Sequence, residues 1–92
     1  MALLDVLGRR WTLRILWELR HSRLPSRALR AAADHISPTV LQTRINELRD
    51  AGFVNLDSAG YGLTSSGREL LEAFGPLYRF SNTWATKRIP ND

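Results

Sequence analysis

Thr39, Gln42, Thr43 and Asn46 place two amides and two hydroxyls at intervals of three and four residues, the spacing that gathers side chains on one side of a helix. These groups can hydrogen-bond base edges: a glutamine or asparagine amide matches adenine bidentately, and a threonine meets a thymine methyl or a phosphate oxygen. The surrounding residues 37–52, SPTVLQTRINELRDAG, carry the signals of the helix that must hold them. Ser37 is a favourable N-cap, and Pro38 suits the first helical position, where no amide partner is needed. Gly52 supplies the left-handed residue that ends the helix, whereas Val40 at the third position leaves no capping box. Leu41, Ile45 and Leu48 fall within about 60° of one another around the axis, with Thr39, Gln42, Thr43, Asn46 and Asp50 spread around the opposite side. That polar side is either a base-reading face or the ordinary solvated surface of an amphipathic helix. The rest of the chain has to decide between them.

Ninety-two residues with 43% hydrophobic content fit one domain, near the size at which a single core is adequate and help from a second subunit is unsurprising. Cysteine is absent, which removes disulfides, thiol redox sensing and cysteine-based metal sites, and two histidines, His21 and His35, make a zinc site improbable. No apolar run approaches the roughly 20 residues of a bilayer span, and Asp5 sits where a secretion signal requires apolar residues, so a cytoplasmic protein away from membranes is expected. The formal charge is +4, but residues 1–30 alone carry +5 and the remainder −1. Twelve of the thirteen basic residues are arginine, whose planar fork suits phosphate oxygens. They imply either an anionic partner or a solubilising surface.

The elements around the polar helix follow in order. Residues 2–7 form a short helix candidate closed by Gly8. In residues 11–19, Trp11, Thr12, Ile15, Leu16 and Leu19 fill one side and Leu13 and Trp17 another, leaving a narrow polar stripe through Arg10, Arg14, Glu18 and His21. A helix buried on two sides belongs at the centre of the domain. Ser26 is expected to cap a third helix from residue 27 to about 33, and Asp34, His35 and Ile36 form the turn before Ser37. Two short helices joined by about three residues make a helix-turn-helix unit spanning about 26–51. Residues 53–57 alternate at period two, Ser58, Ala59 and Gly60 carry turn chemistry, and residues 61–64 return, giving a small hairpin over about 53–64. A last helix, about 66–88, has an apolar arc through Leu70, Leu71, Ala73, Phe74, Leu77, Tyr78, Phe80, Trp84 and Ala85 that covers about half its circumference. Pro76 within it predicts a kink near Gly75. So wide an arc is either a broad intramolecular contact or a dimer interface, for which Leu71, Phe74, Tyr78, Phe80 and Trp84 are the candidates.

Three segments in this order, LDVLGRRWTLRILWELR at 4–20, ISPTVLQTRINELRDAGFV at 36–54 and YGLTSSGREL at 61–70, resemble the HxlR-type branch of the MarR-like winged-helix transcriptional regulators. The resemblance covers nearly the whole chain and implies a mainly α fold with a small β-hairpin, a single winged helix-turn-helix domain. It further implies a homodimer that sets paired reading helices in successive major grooves of a pseudo-palindromic operator on double-stranded DNA. Carried over to this sequence, it assigns Ser37, Thr39, Gln42, Thr43 and Asn46 to the groove face. Arg44, beside the buried stripe, is either a phosphate clamp or a tie to an acidic neighbour. Arg10, Arg27 and Arg30 are candidates for the phosphate backbone, against the alternative of solvated surface arginines. Two departures stand out. Family members usually carry a cysteine just before the first segment, and none is present here, so a thiol switch is not expected. The hairpin is short, and residues 55–62 hold no lysine or arginine, which weighs against insertion of a basic tip into the minor groove.

Competing functions are narrower. No nucleophile-base spacing, glycine-rich phosphate loop or carboxylate pair suggests an enzyme, and no cofactor is expected. A winged helix that binds protein instead of DNA, through the apolar last helix, is the alternative; Asp50, Asp57 and the uncharged hairpin favour it mildly. A small-molecule effector is compatible with DNA binding, in a dimer cleft lined by Trp11, Trp17, Phe74 or Tyr78, although core packing is the better explanation of those rings.

Overall fold

A computed structural model describes residues 2–87. Five helices and one hairpin follow in the order α1 (Ala2–Leu7), α2 (Thr12–Glu18), α3 (Ser26–Ala32), α4 (Pro38–Asp50), β1 (Val54–Asp57), β2 (Gly60–Leu63) and α5 (Ser65–Lys87). The central position of α2 follows from its two apolar sides. Ile15, Leu16 and Leu19 are fully or almost fully buried and meet Leu29 of α3, Leu41, Ile45 and Leu48 of α4, Val54, Tyr61 and Phe74 in one core. Trp11, expected in the first turn of this helix, lies just before it in a left-handed conformation, with φ 80°. Such a backbone is uncommon for a bulky residue and costs about 1–3 kcal/mol.

The start of α3 also departs from expectation. Pro25 occupies the cap position with extended backbone, and Ser26 is already helical, without a capping bond. The cause lies in Leu24, whose N–H donates to Tyr61 O and whose carbonyl accepts from Tyr61 N, both at 2.9 Å. This antiparallel bridge adds a third short extended piece along β2 and fixes the chain one residue ahead of the helix. The hairpin itself pairs Val54 with Leu63 through to Asp57 with Gly60. Its tip is the two-residue turn Ser58–Ala59, closed by Asp57 Oδ1, which accepts from Ala59 N at 2.7 Å. Gly60 at φ 119° has no room for a side chain, since a Cβ would collide with the Leu24 and Pro25 backbone.

Thr64 joins hairpin to α5. Its hydroxyl donates to Gly52 O at 2.6 Å and accepts from Gly67 N at 3.0 Å, capping the helix and tying it to the end of α4. Gly67 sits directly over the Phe53 carbonyl, where a Cβ would clash, which explains the Leu-Thr-x-x-Gly run. α5 runs through Pro76 as one 23-residue helix, roughly 35 Å long. Its first half packs on α2: Tyr78 stacks 4.9 Å from Trp17 and meets Phe74 edge-on at 6.4 Å. From Arg79 to Lys87 every residue is exposed, so the end of the helix projects from the domain. Arg88, expected at the end of this helix, lies outside the described residues. Among the described residues, no helix is long and apolar enough to cross a membrane.

Candidate nucleic-acid interface

The reading-helix candidate is α4. Ser37 Oγ accepts from Val40 N at 3.2 Å, Pro38 opens the helix, and Gly52 at φ 86° ends it. Leu41, Ile45 and Leu48 bury their side chains to 2% exposure or less, which pins the rotation of the helix about its own axis. Thr39, Gln42, Thr43 and Asn46 are consequently all exposed, as are Ser37 and Asp50. The exposed groups are already organised among themselves. Gln42 Nε2 donates to Asn46 Oδ1 at 2.9 Å, and Thr43 Oγ1 donates to Thr39 O at 2.9 Å. Linked this way, the amide pair retains the Gln42 carbonyl as an acceptor and the Asn46 amino group as a donor, the two functions that an adenine edge complements.

The arginines divide into free and committed groups. Arg44 turns inward: its side chain is only 17% exposed and its Nη1 lies 3.4 Å from Glu47 Oε1, so the tie to an acidic neighbour is what forms. Arg9, in the turn before α2, reaches the other oxygen of the same carboxylate at 3.3 Å. Arg30 is half-buried, and its Nε donates to the Ile36 carbonyl at 2.8 Å, across the turn leading into α4. Both guanidiniums are thus engaged within their own chain, Arg44 by Glu47 and Arg30 by the Ile36 carbonyl. Arg10 is exposed, with its guanidinium over the Trp11 ring at 5.1 Å. Arg27 is exposed and makes no side-chain hydrogen bond or ion pair among the described residues. Arg49 has the same freedom and was not singled out in the sequence, although it falls three residues after Asn46 and seven after Gln42, on the flank of the exposed face.

The hairpin gains a cation that its own sequence lacks. Arg23, from the connection between α2 and α3, lies across β2 and places its Nε 2.9 Å from Asp57 Oδ1. It also donates to Asn55 O at 3.1 Å and Gly60 O at 3.2 Å. Gly62 makes room, because a Cβ there would lie within 3 Å of the guanidinium. The two glycines in the sequence GYG were the available signal for this crossing.

On the last helix, Leu71, Phe74 and Tyr78, expected at a subunit contact, pack on the core of their own chain, and Phe74 is 8% exposed. The reason is the projection of α5 past α2, from Arg79 onward. Burial raises the Tyr78 phenol above its ordinary value, with Arg14 and Arg20 opposing the shift. Outward-facing apolar surface comes from Leu77, Phe80 and Trp84, at 65%, 62% and 50% exposure.

The helix-turn-helix unit formed by α3 and α4 is also what sequence comparison finds. The model of the HxlR-like helix-turn-helix family matches residues 6–89. The chain belongs to this HxlR-like family. An uncharacterized HTH-type transcriptional regulator of Methanocaldococcus jannaschii is 29% identical, over 98% of this chain and 89% of that protein. A crystal structure assigned to the HxlR family, from Thermoplasma volcanium GSS1, superposes with a TM-score of 0.86 at 28% identity, covering 91% of this chain and 82% of the other. Another, assigned to the MarR family, from Enterococcus faecalis V583, gives 0.75 at 27% identity over 92% and 84%. The HxlR-like chain is therefore a transcriptional regulator with a winged helix-turn-helix DNA-binding fold, mainly helical with one antiparallel hairpin.

Proposed function

We propose that this regulator is a homodimer that binds a pseudo-palindromic operator, with α4 of each protomer in a major groove. The observation that carries the reading is the division of α4 into a sealed apolar stripe and an open face of Thr39, Gln42, Thr43 and Asn46. Those four side chains read base edges, and Ser37 meets the backbone near the helix start. Arg27, Arg10 and Arg49 supply phosphate contacts, since each is exposed and has no carboxylate partner among the described residues. Dimerisation covers the outward stripe of Leu77, Phe80 and Trp84, three large apolar side chains on one flank of the last helix. Such a regulator acts where the chromosome is, in the cytoplasm. Because Arg23 is committed to Asp57, Asn55 and Gly60, the wing braces the fold and leaves base discrimination to α4.

Selection of bound sites from a random duplex pool tests this reading. The expected product is an inverted repeat with half-sites about 10 base pairs apart, bound by two protomers with an affinity that falls steeply as salt rises. No enrichment, or an affinity indifferent to salt, would instead indicate apolar association with a protein partner.

A further inference from the structure

Arg14 occupies the polar stripe of α2, well away from the exposed face of α4, yet it makes more side-chain bonds across elements than any arginine near that helix. Its Nη2 donates to the Ala32 carbonyl at 2.8 Å, at the C-terminal end of α3. Nη1 donates to Asp34 Oδ2 at 3.0 Å, in the turn itself, and Nε donates to Glu18 Oε2 at 2.8 Å. The Glu18 bond, four residues along the same helix, orients the guanidinium so that its two remaining nitrogens face the turn.

The turn is the joint of the helix-turn-helix unit. Asp34 and His35 both adopt left-handed backbone, at φ 56° and 58°, without a glycine. Residues keep such conformations only where their surroundings over-determine them. Here Arg14 holds one side of the joint and Arg30, through the Ile36 carbonyl, holds the other. We propose that Arg14 is a positioning residue for DNA recognition, fixing the angle at which α4 leaves the turn. The inference rests on the reading of α4 as the base-reading helix.

Leverage makes the effect on recognition larger than the effect on folding. Asn46 lies nine residues beyond Ser37, about 13 Å along the helix, so a tilt of about 5° at the joint moves its amide by roughly 1 Å. A displacement of that size breaks a base-edge hydrogen bond, whose donor-acceptor distance varies by only a few tenths of an ångström. Phosphate contacts made by long, flexible arginines tolerate the same tilt.

The test compares the full chain with Arg14→Met, which keeps an unbranched side chain, and with Asp34→Ala. Affinities are measured by fluorescence anisotropy at one salt concentration, on the selected duplex and on a random duplex of equal length. For Arg14→Met, binding to the selected duplex weakens about tenfold or more, comparable to a mismatched base pair, while binding to random DNA stays within about twofold. Asp34→Ala moves the same way by a smaller factor. Its side chain is 71% exposed, so this variant carries the test if Arg14→Met does not fold. Equal losses on both duplexes, or full discrimination retained by the folded variants, would overturn the proposal. Gln42→Ala separates the two levels of inference. If it loses discrimination while the Arg14 and Asp34 variants keep it, only the positioning role falls; if it too keeps discrimination, the assignment of α4 falls and the role resting on it falls with it.

Discussion

The bond between Gln42 and Asn46 makes a quantitative demand on DNA binding. If the two amides reach a base as one linked unit, removing either partner should cost nearly as much as removing both. Each single alanine substitution removes one arm of a bidentate contact, worth about 1–3 kcal/mol of discrimination, a factor of roughly five to 150. For independent contacts the double variant would lose the sum. For a linked pair it loses little more than the larger single effect, leaving a coupling energy of about 0.5 kcal/mol or greater in a double-mutant cycle. The structure sets the control. Both side chains are exposed, so their mutual bond supports the helix by only about 0.2–0.5 kcal/mol, and melting temperatures should change by no more than about 2–4 °C. The assay is a four-corner cycle of Kd values for the parent, Gln42→Ala, Asn46→Ala and the double variant, on the selected duplex and on random DNA at fixed salt. Strictly additive losses, or losses of the same size on random DNA, would refute the linked pair.

Other consequences concern the scaffold. Gly67→Ala would push a methyl into the Phe53 carbonyl, so thermal melting should show a loss of about 1–3 kcal/mol, and an unchanged melting temperature would mean that α5 shifts freely over the hairpin. Replacing Leu77 and Phe80 together by glutamate should leave the fold intact, because both are over 60% exposed, but convert the proposed dimer to monomer in sedimentation velocity; an unaltered dimer would place the interface elsewhere. Since burial holds the Tyr78 phenol above the usual value of 10.0, its contribution to stability is complete below that pH and declines as pH rises past it, when the unfolded chain ionises first. Urea titrations of parent and Tyr78→Phe should therefore differ in slope against pH only above about 10, and parallel profiles throughout would show that the phenol is solvated.

Local signals made most of the fold legible, and long-range ones accounted for what was missed. Ser37, Pro38 and Gly52 mark α4 because caps and stops act within a turn of the helix, and Leu41, Ile45 and Leu48 fix its buried side through periodicity alone. The hairpin followed from alternation and from the turn residues Ser58 to Gly60. By contrast, Leu24 reaches Tyr61, 37 residues away in sequence, and that pairing displaced the N-cap of α3 from Ser26 to Pro25. Arg23 on the wing depends on the same pairing, and only Gly60 and Gly62 hinted at it. Glu47, three residues after Arg44, is the acidic neighbour that the helical spacing allowed, whereas nothing in the spacing reveals that the Ile36 carbonyl faces Arg30. The apolar arc of α5 was visible, but not where α2 ends beneath it, which is what sends Phe74 into the core and leaves Phe80 outside.

Recognition by this chain requires that the open face of α4 touch base edges in the major groove. Replacing each adenine of the selected operator in turn by 7-deaza-adenine removes the N7 acceptor from that groove while keeping Watson–Crick pairing. At one or more positions in each half-site, the parent should lose about fivefold or more in affinity, and the double variant of Gln42 and Asn46 should lose nothing further there. Undiminished binding at every position, or an identical loss in parent and variant, would contradict it.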